Sequence, residues 1–185
     1  ITTTAGGVVT FNETGTVVIA AAGDITADGA VSITGAGGIS TAGDVTTTND
    51  NVTFVSATTL TGDIAIDTGA GAGNIAFNST LNGTTAGQED LTLTAGTGNI
   101  TFADAVGGTT RVGVIDINSA ANVTAVAITA AALNQDTGTG TTTLNGAVNT
   151  NTLAGVTLSG TNLAVNAPIT TTAGGVVTFN ETGTV

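Results

Sequence analysis

The sequence predicts an all-β fold, a right-handed parallel β-helix (β-solenoid) of seven or eight coils per 168-residue unit with no end caps. Three observations carry the prediction: a β-branched composition, two-residue alternation of apolar side chains, and the near-regular return of one tetrapeptide. Among 185 residues, 43 are Thr, 28 Gly and 16 Asn, and the apolar 41% is Ala, Val, Ile and Leu apart from five Phe. There is no Trp, Tyr, Met, Cys or His. Thr, Val and Ile crowd a helix at Cβ and suit a pleated strand. Gly and Asn tolerate the positive φ of tight turns. A core of small, branched side chains is thin, and suits two short strands stacked closely in a narrow solenoid.

The elements follow in order along the chain. Val8-Val-Thr-Phe11 and Ala30-Val-Ser-Ile33 open a series continued by Asn51-Val-Thr-Phe54, Asn74-Ile-Ala-Phe77, Asn99-Ile-Thr-Phe102 and Asn122-Val-Thr-Ala125, the last four beginning 23, 25 and 23 residues apart. After each comes a turn containing Gly or Asn and a second apolar stretch: Thr16-Val-Val-Ile19, Asp63-Ile-Ala-Ile66, Leu91-Thr-Leu-Thr94 and Val114-Ile-Asp-Ile117. Leu91/Leu93, Ile64/Ile66, Ile115/Ile117 and Val126/Ile128 put apolar side chains on one face of a strand. The Ala-rich stretch Ala125–Leu133 lacks a cap and reads as strand rather than helix. Beyond Ala125 the register blurs, through Thr141–Leu144 and Val156–Leu158, which leaves the coil count at seven or eight.

Strands this short cannot each bury a face alone, but successive coils stacked about 4.8 Å apart can pair them in parallel. Equivalent residues then form ladders. Phe54, Phe77 and Phe102 are expected to stack inside, Asn51, Asn74, Asn99 and Asn122 to line a bend with hydrogen-bonded amides, and Thr to face outward. A β-sandwich would explain alternation but not the recurring tetrapeptide, and it carries a bulkier aromatic core. Disorder is excluded by a mean hydropathy of +0.42 and by the ordered Val/Ile/Leu clusters.

A longer repeat encloses the short one. Residues 1–17 and 169–185 both read ITTTAGGVVTFNETGTV, an offset of 168. Residues 1–168 are therefore read as one full solenoid unit and 169–185 as the start of the next identical unit. Both ends run into repeat sequence, and continuation in both directions is the expectation.

Thirteen acids against one base, Arg111, give a net charge of −12. Nucleic acid and anionic membrane surfaces are excluded as partners on that balance, because both demand Lys and Arg. The longest apolar stretches fall far short of a membrane-spanning helix. Without His, Cys or Lys there is no triad, thiolate or Schiff base, so no enzyme and no catalytic, cofactor-binding or metal residue is expected. The carboxylate pairs Asp24/Asp28, Asp63/Asp67 and Glu89/Asp90 sit beside Gly in turns, and the aromatics of a sugar-binding cleft are missing. No cofactor follows. Calcium is the one candidate ion, through Asp24, Asp28, Asp44, Asp50 and Asp63 collecting along one edge, although no Ca-binding nonapeptide or EF-type loop occurs. The Gly-rich stretches Gly35–Gly38 and Gly69–Gly73 lack a following Lys-Ser/Thr and read as turns. Asn-x-Ser/Thr sequons begin at Asn12, Asn51, Asn78, Asn82, Asn99, Asn122 and Asn180 and are taken as structural. Arg111, beside the Gly107-Gly-Thr-Thr110 loop, is expected to pair with a nearby acid. Ice binding would need a Thr triplet once per coil, and those at Thr2–Thr4, Thr46–Thr48, Thr141–Thr143 and Thr170–Thr172 are too sparse.

At its NVTF/NIAF/NITF tetrapeptides, and at Phe77-Asn-Ser-Thr-Leu-Asn-Gly83 and Leu91-Thr-Leu-Thr-Ala-Gly-Thr-Gly-Asn-Ile100, the chain resembles repeats of filamentous-haemagglutinin-like bacterial surface proteins and passenger repeats of autotransporter-type adhesins. That resemblance implies a parallel β-helix, secretion to the cell surface, and a role in adhesion, biofilm or surface fibres. It carries over no binding residue. The expected function is a structural repeat segment of an extracellular bacterial fibre or adhesin stalk, self-associating end to end or laterally, with contacts to cell surface or matrix. The alternative is a self-assembling filament or sheath subunit stacking end to end. Ice-binding and polysaccharide-binding solenoids rank below both.

Overall fold

The computed structural model describes all 185 residues, and every regular element in it is a β-strand. All strand pairings are parallel, and each strand pairs with its equivalents one coil before and one coil after, which makes a β-solenoid of about eight coils.

Each coil has three faces. The first face is built by Val9–Glu13, Val31–Gly35, Val52–Phe54, Ile75–Phe77, Ile100–Phe102, Val123–Ala125, Thr141–Leu144 and Asn162–Val165. The second begins with Val17–Ile19, Ile39–Thr41, Thr58–Leu60 and Leu81–Gly83, passes through Val106 as a single bridge, and continues through the start of Ile128–Gln135, then Val148–Thr150 and Ile169–Thr171. The third contains Ile25–Ala27, Val45–Thr47, Ile64–Asp67, Leu91–Thr94, Val112–Ser119, the end of Ile128–Gln135, Val156–Gly160 and Val177–Glu181. Thr2 bridges Thr26 at the start of that face. Ile128–Gln135 runs through a corner, so its beginning supports Val148–Thr150 and its end supports Val156–Leu158.

The three-residue strand explains the composition. Most strands read in-out-in: Ile75 and Phe77 are buried, for example, with Ala76 between them half-exposed. Two inward side chains per face, three faces per coil, leave a triangular interior filled by 37 buried apolar residues. Phe54, Phe77 and Phe102 stack on the first face with ring centroids 4.8 and 5.5 Å apart and interplanar angles of 14° and 8°. Their spacing follows the coil rise, which holds the rings in offset stacking.

Three expectations need correction. A coil holds three strands rather than two, because the second apolar stretch merges two different faces: Thr16–Ile19 lies on the second, while Asp63–Ile66, Leu91–Thr94 and Val114–Ile117 lie on the third. Val126 and Ile128 do not share a face; Val126 sits in the turn, 41% exposed, and Ile128 opens the next strand buried. Thr is not confined to the outside: Thr41, Thr47, Thr58, Thr68, Thr142 and Thr150 are buried. Most inward hydroxyls find a local partner, Thr47 Oγ1 donating to the Asp50 carbonyl at 2.5 Å, Thr58 Oγ1 to that of Ser56 at 3.0 Å and Thr68 Oγ1 to that of Gly73 at 2.8 Å. A Thr that satisfies its hydroxyl this way serves as a small β-branched core residue. Ala125–Leu133 holds no helix, as expected, but the strand is broken at Val126 and Ala127, where the chain bends.

Candidate functional site

The functional side chains are arranged as axial ladders, not as a cleft. The surface holds no concave pocket, and no group of three or more His, Cys, Asp or Glu side chains converges.

The first ladder is the corner before the first face. Asn74 Nδ2 donates to Asn51 Oδ1 at 3.0 Å, Asn99 Nδ2 to Asn74 Oδ1 at 3.1 Å, and Asn122 Nδ2 to Asn99 Oδ1 at 2.8 Å. Each Oδ1 also accepts the backbone N–H of the Asn above, at 2.8 Å for Asn74 and Asn99 and 3.2 Å for Asn122. The ladder carries on without its amide into the next coil, where Thr141 N–H donates to Asn122 Oδ1 at 2.9 Å. Each amide thus caps the start of one strand and grips its neighbour. Four of the sequence-predicted positions come together as expected, and three of them, Asn51, Asn99 and Asn122, are sequons.

The second ladder occupies the corner before the third face. Asp24 Oδ1 accepts the Asp44 N–H at 3.0 Å, Asp44 Oδ1 the Ala65 N–H at 2.7 Å, Asp63 Oδ1 the Asp90 N–H at 2.9 Å, and Asp90 Oδ1 the Val114 N–H at 2.6 Å. The edge proposed for calcium is therefore partly assembled: Asp24, Asp44 and Asp63 share it with Asp90. Asp28 does not; it accepts the Gly6 N–H at 2.7 Å. Asp50 lies before the first face, where its carbonyl accepts from Thr47. In the ladder one carboxylate oxygen of each Asp is committed to a backbone donor one coil on. Charge-assisted bonds of this kind offset the like-charge repulsion of stacked acids.

Two further acids, Asp67 and Glu89, shape turns. Asp67 Oδ1 accepts the Gly69 N–H at 2.7 Å. Glu89, 93% removed from solvent by its 7% exposure, accepts the N–H groups of Thr84 and Thr85 at 2.9–3.2 Å and so closes the 84–90 turn. The Gly69–Gly73 stretch is likewise a turn, with Gly69 at φ +79° and Gly71 N–H donating to Asn49 Oδ1 at 2.6 Å.

Arg111 does not pair with an acid, contrary to expectation. Its guanidinium donates to the Ala130 carbonyl, to the Asn149 carbonyl at 2.9 Å and to Asn149 Oδ1. The side chain therefore runs along the axis and ties three successive coils on the second face. Both accepting carbonyls lie in strands of the two coils that follow, and nothing in the local sequence around Arg111 marks partners 19 and 38 residues away.

The Thr triplets fall on different faces: Thr141–Thr143 on the first, Thr170–Thr172 on the second, and Thr2 and Thr46 on the third. A single file of outward residues does line the first face, Thr10, Ser32, Thr53, Ala76, Thr101, Thr124, Thr143 and Ala164. Its hydroxyl signal was hidden because Ala interrupts it twice. Chemically, these ladders hold one coil to the next. A scan against protein-family models, a search of curated proteins and a search of solved structures return no match for this chain.

Proposed function

We propose that the chain is a structural segment of an extracellular bacterial surface fibre or adhesin stalk, built from tandem 168-residue solenoid units. The observation that supports this reading is the continuity of two parallel ladders from the first coil to the last, with a third that narrows to a single bridge at Val106, combined with the repeat of residues 1–17 at 169–185. Each coil is held to the next by backbone hydrogen bonds on three sides together, reinforced at two corners by Asn and Asp side chains, so tension along the axis is shared among many bonds. Length then scales with unit number. The acidic surface, with one cation tucked into the coil corners, favours solubility and mutual repulsion of neighbouring fibres. The resemblance to haemagglutinin-like and autotransporter repeats points to the same role at the cell surface.

Covalent continuity separates this reading from a self-assembling filament subunit. Fibres dissolved in hot detergent and run on a denaturing gel should yield a giant chain; a small discrete subunit would replace the stalk by an end-to-end stacking filament.

A further inference from the structure

The two copies of the 17-residue segment do not lie on the same side of the coil. Thr2 belongs to the third face, and its copy Thr170 to the second. Val9–Glu13 lies on the first face, and its copy Val177–Glu181 on the third. Val17 opens a strand of the second face, whereas Val185 follows Thr184, whose carbonyl accepts from Leu163 N–H at 2.8 Å on the first. Three separate stretches of the segment are thus displaced by one face, all in the same sense. Between any residue of the segment and its copy the chain makes seven full coils and two further faces.

The two sets of pairings also join without a slip. Residues 177–181 pair with 156–160 as Val177↔Val156, Thr178↔Thr157, Phe179↔Leu158, Asn180↔Ser159 and Glu181↔Gly160. The identical residues 9–13 pair onward as Val9↔Val31, Thr10↔Ser32, Phe11↔Ile33, Asn12↔Thr34 and Glu13↔Gly35. One copy of Val-Thr-Phe-Asn-Glu therefore fits 156–160 below and 31–35 above through the same five residues, with a glycine on both sides of the glutamate. The short strand behaves likewise, Thr170 pairing with Asn149 and Thr2 with Thr26. No bulge or extra residue is needed at the junction.

Resting on the tandem-array reading, we infer that successive 168-residue units are related by a one-third turn relative to the three sheets. The first face of one unit continues into the second face of the next and the third face of the one after, and the original face returns with every third unit. At a coil spacing of about 4.8 Å the rise is about 37 Å per unit and about 110 Å per full cycle of three. Sequence left the coil count between seven and eight because the unit closes on neither integer.

The consequence concerns the surface. The Asn ladder, the outward hydroxyl file and the Arg111 tie each end after one unit on a given side and reappear on the next side. A fibre so built presents the same chemistry in three directions, and no stripe runs along one side beyond eight coils. Lateral contacts with a second copy of the fibre can therefore form on any side but only at intervals, which opposes continuous edge-to-edge zipping.

Helical reconstruction by electron cryo-microscopy of a chain of nine consecutive units tests this. Thr101→Cys, outward on the first face of a chain without cysteine, carries a gold label in each unit. The expected result is labels about 37 Å apart that step by one face and return to the same side about every 110 Å. A continuous solenoid with every label on one side overturns the one-third turn and leaves the array intact. Separate globules with no continuous ladder overturn the array itself, and the turn with it. The unlabelled chain gives an independent reading through the Phe54–Phe77–Phe102 stack, whose side should change with every unit.

Discussion

Residues 1–17 and 169–185 are the same sequence in two surroundings, and their differences separate local from tertiary control. The turn is the same in both. Ala5 and Ala173 have φ of 56° and 55°, and Gly6 and Gly174 have φ of 76° and 77°. Thr3 Oγ1 donates to the Gly7 carbonyl at 2.6 Å, and Thr171 Oγ1 to that of Gly175 at 2.7 Å. The left-handed Ala, an uncommon conformation for a residue with Cβ, is held by the following Gly and by that hydroxyl. What differs is the face each copy joins, third against first for Val-Thr-Phe-Asn-Glu, and the side on which a neighbouring strand is seen, 156–160 below the second copy and 31–35 above the first. Phe179 is 38% exposed and lies against Leu158, while Phe11 lies against Ile33. A short turn-strand module carries no instruction about which of three sides it joins; the coil already in place supplies it.

Substitutions at matched positions measure how far the two surroundings differ. The largest effect is expected in the middle of the stack, where Phe77 is flanked by rings on both sides. Phe77→Ala should lower stability by about 3–5 kcal/mol, and Phe179→Ala by less than half as much. Urea titration followed by circular dichroism measures both in a chain that stops at Val185; with a following unit in place Phe179 is covered from above and the two losses should converge. Next come paired glycines. A Cβ at Gly183 would meet Asn162 Oδ1 at 2.6 Å and the Thr161 carbonyl at 2.7 Å, whereas at Gly15 nothing lies within 4 Å. In a chain of residues 1–185 Gly183→Ala should cost about 1–3 kcal/mol and raise hydrogen exchange in the last coil, with Gly15→Ala inside about 0.5 kcal/mol; a preceding unit should bring the cost at Gly15 up to that at Gly183.

Smaller again is the Asn ladder, which neither copy of the segment enters. Asn99→Ala removes bonds to Asn74 and Asn122 and should cost about 1 kcal/mol, against a few tenths for Asn180→Ala, whose amide reaches only Ser159 Oγ at 3.3 Å. Thermal melts of the two variants check the ranking. The smallest effect separates Glu181 from Glu13. Both Glu181 carboxylate oxygens are shielded without a hydrogen-bond partner, and burial pushes its pKa above the ordinary 4.5. Ionisation therefore works against the folded state, so the last coil should gain stability as pH falls through the folded value toward 4.5 and lose it on the way up. Glu181→Gln should flatten that dependence and raise the melting midpoint at neutral pH, while Glu13→Gln, at an exposed position, leaves it unchanged. A pH profile unaltered by Glu181→Gln would place the dependence elsewhere.

Much of the first face was legible. Its tetrapeptide alternates, carries Phe and begins with Asn, so both the ring stack and the amide ladder could be named by residue. The second face was not. Thr58-Thr-Leu60 and Leu81-Asn-Gly83 offer one apolar residue each, and at Val106 the strand shrinks to a single bridge. Buried Thr41, Thr58 and Thr150 do the packing there, and in a sequence of 43 Thr nothing distinguishes an inward hydroxyl from an outward one. The Asp ladder is half visible in the sequence: Asp24, Asp44 and Asp63 group on one edge, but adjacency pairs Asp90 with Glu89. Its true neighbour, Asp63, is 27 residues back.

Composition, alternation and recurrence determined that this chain is all-β, coiled and repetitive, because β-branched residues, in-out-in strands and glycine turns are properties of a few adjacent residues. Three faces per coil, the tie made by Arg111, and the side on which each copy of the duplicated segment lands were decided only by stacking. Those features depend on the phase accumulated over every preceding turn, and turns of unequal length leave no periodic trace from which that phase can be read.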